Sequence, residues 1–227
     1  MQLNYAQREL TVKVVYYGPG LSGKTTNLQQ IYDRTPAEVR GRLLTLDTQD
    51  DRTLFFDLLP IFFQTDNGCR VKIKLFTVPG QVLHNATRRL VLQDADAVVF
   101  VADSRRTAAE DNNAYWRNLH DNMVENGLDP AQIPIVIQFN KQDLPDARTG
   151  EELEESRSRG KEPVLGAIAV RGEGVLETLH AVLREAYRSL ETRLELERKV
   201  GLTEAQFLER VFSRWDLRGT KLEGQFS

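Results

Sequence analysis

The stretch YGPGLSGKTT, Tyr17 to Thr26, decides how the rest of the chain is read. It follows an apolar run with strand character (Val12, Val14, Val15, Tyr16) and opens a segment with helical spacing (Leu28, Ile31, Tyr32). Gly18, four intervening residues and then Gly23-Lys24-Thr25 match a phosphate-binding loop, in the strand–loop–helix setting that such a loop requires. Glycine lets the backbone wrap an anion without Cβ collisions. Successive N–H groups and a helix N-terminus can then face phosphate oxygens. The phosphates would lie against Gly18, Gly20, Leu21, Ser22, Gly23, Lys24, Thr25 and Thr26. Lys24 would reach the β- and γ-phosphates, and the Thr25 hydroxyl would ligate Mg²⁺. The plainer alternative is a glycine-rich turn that carries a lysine; the flanking strand and helix argue against it.

Outward from this loop, strands alternate with helices. The first strand spans roughly residues 10–17, after a short edge strand near 2–5. The first helix ends before Pro36, which cannot continue it. A polar loop from Thr45 to Thr53 leads to two strands, 54–65 and 70–78, joined by Asp66-Asn67-Gly68. Asn-Gly there signals a two-residue hairpin turn. Val71, Ile73 and Leu75 alternate with Lys72, Lys74 and Phe76, as in an antiparallel pair near a sheet edge. AVVFVA (97–102) and residues 133–139 read as buried parallel strands, with a helix over 111–126 between them. A charged segment over 146–161 predicts a solvated helix or loop; a last strand (164–170) and a long helix from Gly174 follow. The rhythm predicts an α/β fold with a doubly wound, mostly parallel sheet.

Past Leu190 the composition changes. We expect one domain over residues 1–190 and a helical extension over 191–227. Within the extension a charged helix runs on to Gly201, and a second helix starts at Thr203 and closes at Gly219. Thr203 and Gln206 form a capping-box pair, and Leu202 and Phe207 have staple spacing. Phe207, Leu208, Val211, Phe212 and Trp215 share a face that would either pack on its own domain or enter a partner's groove.

The net charge of −3 offers no general basic field, so nucleic acid is not an expected partner. A single cysteine, Cys69, excludes an intrachain disulfide and suits a reducing cytoplasm. The N-terminal residues lack the basic start and apolar core of a signal peptide, and no lipid-anchor motif is readable. His84, His120 and His180 lie far apart without ligand spacing, and no chemistry is assigned to them.

Asn140-Lys141-Gln142-Asp143 follows a buried strand, at the end where open α/β sheets bind ligands. A carboxylate at Asp143 can accept from guanine N1–H and the 2-amino group together. Adenine presents an acceptor at N1, which would leave that carboxylate unpaired. Asn140 would brace the loop and the Lys141 stem would cover the base. Alone the tetrapeptide could be a solvated turn; with the phosphate loop it indicates a guanine nucleotide.

Over roughly residues 8–190 the chain resembles the Ras-like small GTPases, and among them the bacterial MglA group of polarity and motility regulators. The resemblance is carried by YYGPGLSGKTTNLQQIY (16–32), DDRTLFFD (50–57), FTVPGQ (76–81), NKQD and the Ala169/Gly174-Val175 region. It implies a small-GTPase G domain that binds GTP or GDP with Mg²⁺ and slowly hydrolyses GTP as a switch. Thr53 would ligate Mg²⁺ alongside Thr25, Gly80 would donate to the γ-phosphate, and Gln81 would orient the attacking water. Ala169 and Val170 would sit beside the guanine. Arg52 is either a solvated loop charge or, as the family implies, an arginine finger supplied in cis, worth roughly 10³–10⁵-fold in rate. The implied partner is a Roadblock/LC7-domain protein of the MglB type. One residue departs from the broader pattern: Thr77 stands where most Ras-like proteins carry a metal-holding aspartate. The MglA group shares that change. It keeps open a non-hydrolysing guanine-nucleotide scaffold; a phosphotransferase, the third reading, would need an arginine-rich lid that the sequence does not offer.

Overall fold

The computed structural model describes residues 2–4, 7–46, 56–80 and 84–226. An eight-stranded sheet organises them. Its strands are β1 (Gln2–Asn4), β2 (Glu9–Tyr17), β3 (Leu44–Leu46), β4 (Phe56–Gln64), β5 (Arg70–Thr77), β6 (Ala97–Asp103), β7 (Ile135–Asn140) and β8 (Val164–Ala167). The order β3-β4-β5-β2-β6-β7-β8 runs across the sheet, and β1 pairs with β2 beside this path. The pairs from β5 through β8 are parallel; β1–β2, β3–β4 and β4–β5 are antiparallel.

The helices are α1 (Lys24–Arg34), α2 (Asn85–Leu92), α3 (Ala109–Glu125), α4 (Gly150–Arg159), α5 (Val175–Leu194), α6 (Leu196–Val200) and α7 (Glu204–Phe212). Both sheet faces are covered, because the central strands are apolar on both sides. Val12, Val14 and Tyr16 of β2 pack in one cluster with α1 and α5, while Val15 and Tyr17 pack in the other with α2 and α3. The doubly wound sheet predicted from the sequence is the fold of the protein.

Several local expectations change. Leu44–Leu46, of which Thr45 and Leu46 were read as the start of a polar loop, forms edge strand β3 against β4. The β4–β5 turn holds three residues, because Thr65 pairs with Cys69 and only Gly68 takes positive φ (82°). A two-residue type I′ turn would need positive φ at two successive positions. The last strand stops at Ala167, where residues 169–171 turn in a single 3₁₀ step. The long helix breaks earlier than Gly201, at Glu195 (φ 57°), and α7 ends at Phe212 rather than near Gly219.

The Thr203–Gln206 capping box forms as read. Phe207, Leu208, Val211, Phe212 and Trp215 are buried in the same cluster as the sheet and α5, so this face is used within the chain. The extension also grips the β4–β5 turn. Phe207 meets Phe63 edge-on at 5.8 Å, Asn67 donates to the Val200 carbonyl, and Arg210 pairs with Asp66. Tyr187 of α5 donates to the Leu202 carbonyl at 2.6 Å.

Candidate nucleotide site

The phosphate loop leaves β2 at Tyr17 and enters α1 at Lys24. Gly23 takes φ 103°, and a Cβ there would stand 2.1 Å from Asn140 Nδ2. That approach is how the two sequence motifs meet. Asn140, buried at the end of β7, donates through Nδ2 to the Ser22 carbonyl at 2.8 Å. Its Oδ1 accepts from the Ala169 N–H at 2.9 Å. One side chain therefore ties the phosphate loop to the loop after β8. Behind it lies a second buried tie: Asn27 of α1 donates to the Gly23 carbonyl and exchanges hydrogen bonds with Gln138. Gln138 in turn donates to Thr178 of α5, whose hydroxyl donates to the Gly174 carbonyl.

Beside Asn140, Lys141 holds φ 71°, a conformation L-residues adopt at a cost and that clusters at functional sites. Its Nζ donates to Asp103 Oδ2 at 2.6 Å, which fixes the stem. Asp103 is buried, and burial alone would raise its pKa. Hydrogen bonds from Arg105 and Lys141 outweigh this and bring it down to about 2. Asp143 is exposed one turn further on, and Val170 and Leu21 are 70% and 92% exposed. The Ala169 N–H is taken by Asn140, so Ala169 shapes this loop rather than presenting a free donor.

At the other end lies a cavity of about 570 Å³ walled by Lys24, Thr25, Thr45, Asp57, Thr77 and Gly80, with Leu21, Gly23, Thr26 and His84 also on its lining. Lys24 Nζ donates to the carbonyls of Gly18 at 3.0 Å and Pro19 at 2.6 Å. Burial, reinforced by the Arg88 charge and opposed by Asp57, lowers its pKa to about 7. A buried ammonium facing a cavity has much to gain from an anion. Gly20 and Gly80 touch: a Cβ on Gly20 would lie 2.9 Å from the Gly80 carbonyl oxygen. Tyr115 of α3 donates to that same carbonyl at 2.7 Å, holding the segment after β5 against the phosphate loop.

Sequence reasoning missed Asp57. Its Oδ2 accepts from Thr25 Oγ1 at 2.7 Å and Thr77 Oγ1 at 2.9 Å, and its Oδ1 accepts from Thr45 Oγ1 at 2.9 Å. The signal was its phase in FDLLPIFF: Asp57 falls on the same face as Leu59 and Ile61, a core position where a charge needs a reason. Tyr115 was read only as part of a helix face and Arg88 was not singled out; His84, to which no chemistry was assigned, lies on the cavity lining. Arg52, Thr53 and Gln81 lie outside the described residues.

Among the described residues there is no cluster of three His, Cys, Asp or Glu that could hold a metal. An all-oxygen set of hydroxyls around one carboxylate suits Mg²⁺, which keeps several waters and takes its remaining ligands from phosphate.

Comparison with known proteins fits this geometry. Residues 60–186, more than half of the chain, match the ADP-ribosylation factor family. The mutual gliding-motility protein MglA of Myxococcus xanthus is 49% identical over 182 residues, covering 80% of this chain and 93% of that protein. The chain belongs to the MglA family of small GTPases. Its class of activity is GTP hydrolysis. A more distant relative, ADP-ribosylation factor-like protein 6 of Caenorhabditis briggsae, is 26% identical over 190 residues, 80% of this chain and 90% of its own length. No helix among the described residues is long and apolar enough to cross a membrane.

Proposed function

We propose that the protein is a cytoplasmic GTP-dependent switch that binds GTP and GDP with Mg²⁺, hydrolyses GTP slowly, and acts in bacterial polarity or motility control. The observation that carries this reading is the Asn140 tie, which joins the phosphate loop to the NKQD loop through one buried side chain. In this reading Lys24 neutralises the β- and γ-phosphates, Thr25 and Thr53 ligate Mg²⁺, and Gly80 senses the γ-phosphate. Gln81 orients the attacking water, and Arg52 stabilises charge developing on the phosphates. Asp143 reads the guanine edge. Phosphoryl transfer needs mostly positioning and electrostatics, so loops that close on the γ-phosphate and relax without it suffice for a switch.

Stimulation by a Roadblock-domain partner of the MglB type follows from kinship with the family. We read residues 191–227 as an extension built onto a G domain of residues 1–190, since its apolar face is buried in that domain's own core. Single-turnover GTP hydrolysis, measured with and without a Roadblock partner, tests the switch. Slow intrinsic turnover that rises with the partner is expected; no turnover under either condition favours the scaffold alternative. Gly20→Val provides an internal control. Its side chain meets the Gly80 carbonyl, so the variant should bind GTP and hydrolyse it at least about tenfold more slowly.

A further inference from the structure

We propose that Asp57 supplies, from the neighbouring strand, the carboxylate that positions the Mg²⁺ ligand Thr25 and the metal's waters in a site whose β5 end carries Thr77. The inference rests on the reading of this site as a guanine-nucleotide–Mg²⁺ site. The ladder that pairs Leu58 with Phe76 sets Asp57 beside Thr77, and the Asp57 N–H donates to Thr77 Oγ1 at 2.8 Å. Side chains directly opposite on antiparallel strands have Cβ atoms about 4.5–5.5 Å apart. A carboxylate can therefore cross from β5 to β4 and still reach the Thr25 hydroxyl. It does so, at 2.7 Å.

The hydrogen-bond pattern gives the arrangement its chemistry. A hydroxyl has one proton and two lone pairs. With its proton committed to Asp57 Oδ2, the Thr25 oxygen keeps its lone pairs for a cation. Thr77 donates to the same carboxylate oxygen, so the hydroxyl at the end of β5 helps to orient it. Oδ1 accepts from Thr45 and, having a second lone pair, retains capacity for a metal-bound water.

Burial is the independent argument. Asp57 is 5% exposed, on the core face of its strand, and among the described residues it forms no ion pair. A buried carboxylate whose hydrogen-bond partners are neutral hydroxyls is costly. The Lys24 charge on the same wall offsets part of that cost, and a divalent ion in the adjoining cavity would remove the rest.

The test is release of a fluorescent GDP analogue from the full chain as Mg²⁺ is titrated and then chelated with EDTA. Wild-type protein should release slowly in Mg²⁺ and at least about tenfold faster in EDTA. Asp57→Asn, nearly isosteric, should raise the Mg²⁺ midpoint tenfold or more and collapse the contrast between the two conditions. The transposed variant Asp57→Thr/Thr77→Asp should bring the midpoint back to within a few-fold of wild type. A merely structural aspartate would not produce that rescue. A midpoint in Asp57→Asn within twofold of wild type overturns the proposal. Should that variant fail to fold by circular dichroism, the transposed variant decides, and Mg²⁺-independent release from it is equally contrary. Wild-type protein that ignores the GDP analogue sinks the nucleotide reading itself, a different and recognisable failure.

Discussion

At the NKQD end of the site, one buried amide side chain, Asn140, holds two loops at once. At the cavity end, hydroxyls from three elements, Thr25 of α1, Thr45 of β3 and Thr77 of β5, converge on a single carboxylate, Asp57. The first arrangement hangs on one side chain within a run of four motif residues, although the groups it holds lie 118 and 29 residues away. The second depends on the pairing of β4 with β5, which alone sets Asp57 beside Thr77. A motif can describe the first. Only a sheet can describe the second, because the carboxylate can come from either of two paired strands and serve the same hydroxyl.

The largest effect should come from the cavity between the two ends. Lys24→Ala removes the buried ammonium that lines the cavity and, on the proposed function, should weaken GDP binding about 10²-fold or more, measured by calorimetry. A loss of only a few-fold would mean the phosphates lie elsewhere. Next comes the base end. Asp143→Asn replaces an acceptor with a carboxamide donor, so guanine nucleotides should lose roughly 10²-fold in affinity while xanthine nucleotides, with a carbonyl at C2, gain. Equal loss for both bases would assign Asp143 to loop structure.

Asn140→Ala probes the tie itself. It leaves the Ser22 carbonyl and the Ala169 N–H without their partner, at about 1–3 kcal/mol for each buried group. Urea unfolding should show that loss together with weakened GDP binding. Stability lost without any change in GDP affinity would separate the tie from the site.

The smallest effect concerns pH. The Asp103 pKa is held near 2, below the ordinary carboxylate value, by Arg105 and Lys141. Its contribution is present above about pH 4 and disappears as the pH falls towards 2. Arg105 is partly exposed, so solvent screening keeps the effect modest. Asp103→Asn should flatten that segment of the acid-unfolding curve, as read by fluorescence. An unaltered curve would remove the Asp103–Lys141 pair from the stability of the base end.

Much of this was legible before the fold was known. YGPGLSGKTT fixed the loop and its flanking elements, and the clean alternation of β5 marked the antiparallel corner. NKQD was legible as a unit, because its chemistry sits in four consecutive residues, and the structure brings its Asn140 to the phosphate loop. Asp57 escaped notice because an acid near a strand entry ordinarily reads as solvent-facing, although its phase with Leu59 and Ile61 was present in the strand read over 54–65. Thr45 and Leu46 of β3 were absorbed into a polar segment, since three residues carry too little periodicity to announce an edge strand. The helix break at Glu195 has no glycine or proline to mark it; packing of the extension under the β4–β5 turn accompanies it. The apolar face of α7 was legible as a face, but its occupant was not.

Competition for a bound fluorescent GDP by unlabelled GTP, GDP and ATP bears most directly on the account, since it asks whether the phosphate loop and Asp143 grip one ligand. GTP and GDP should displace the probe at similar concentrations, and ATP should fail even at roughly 10³-fold excess. Displacement by ATP at concentrations comparable to GTP, or no binding of the probe at all, would contradict it.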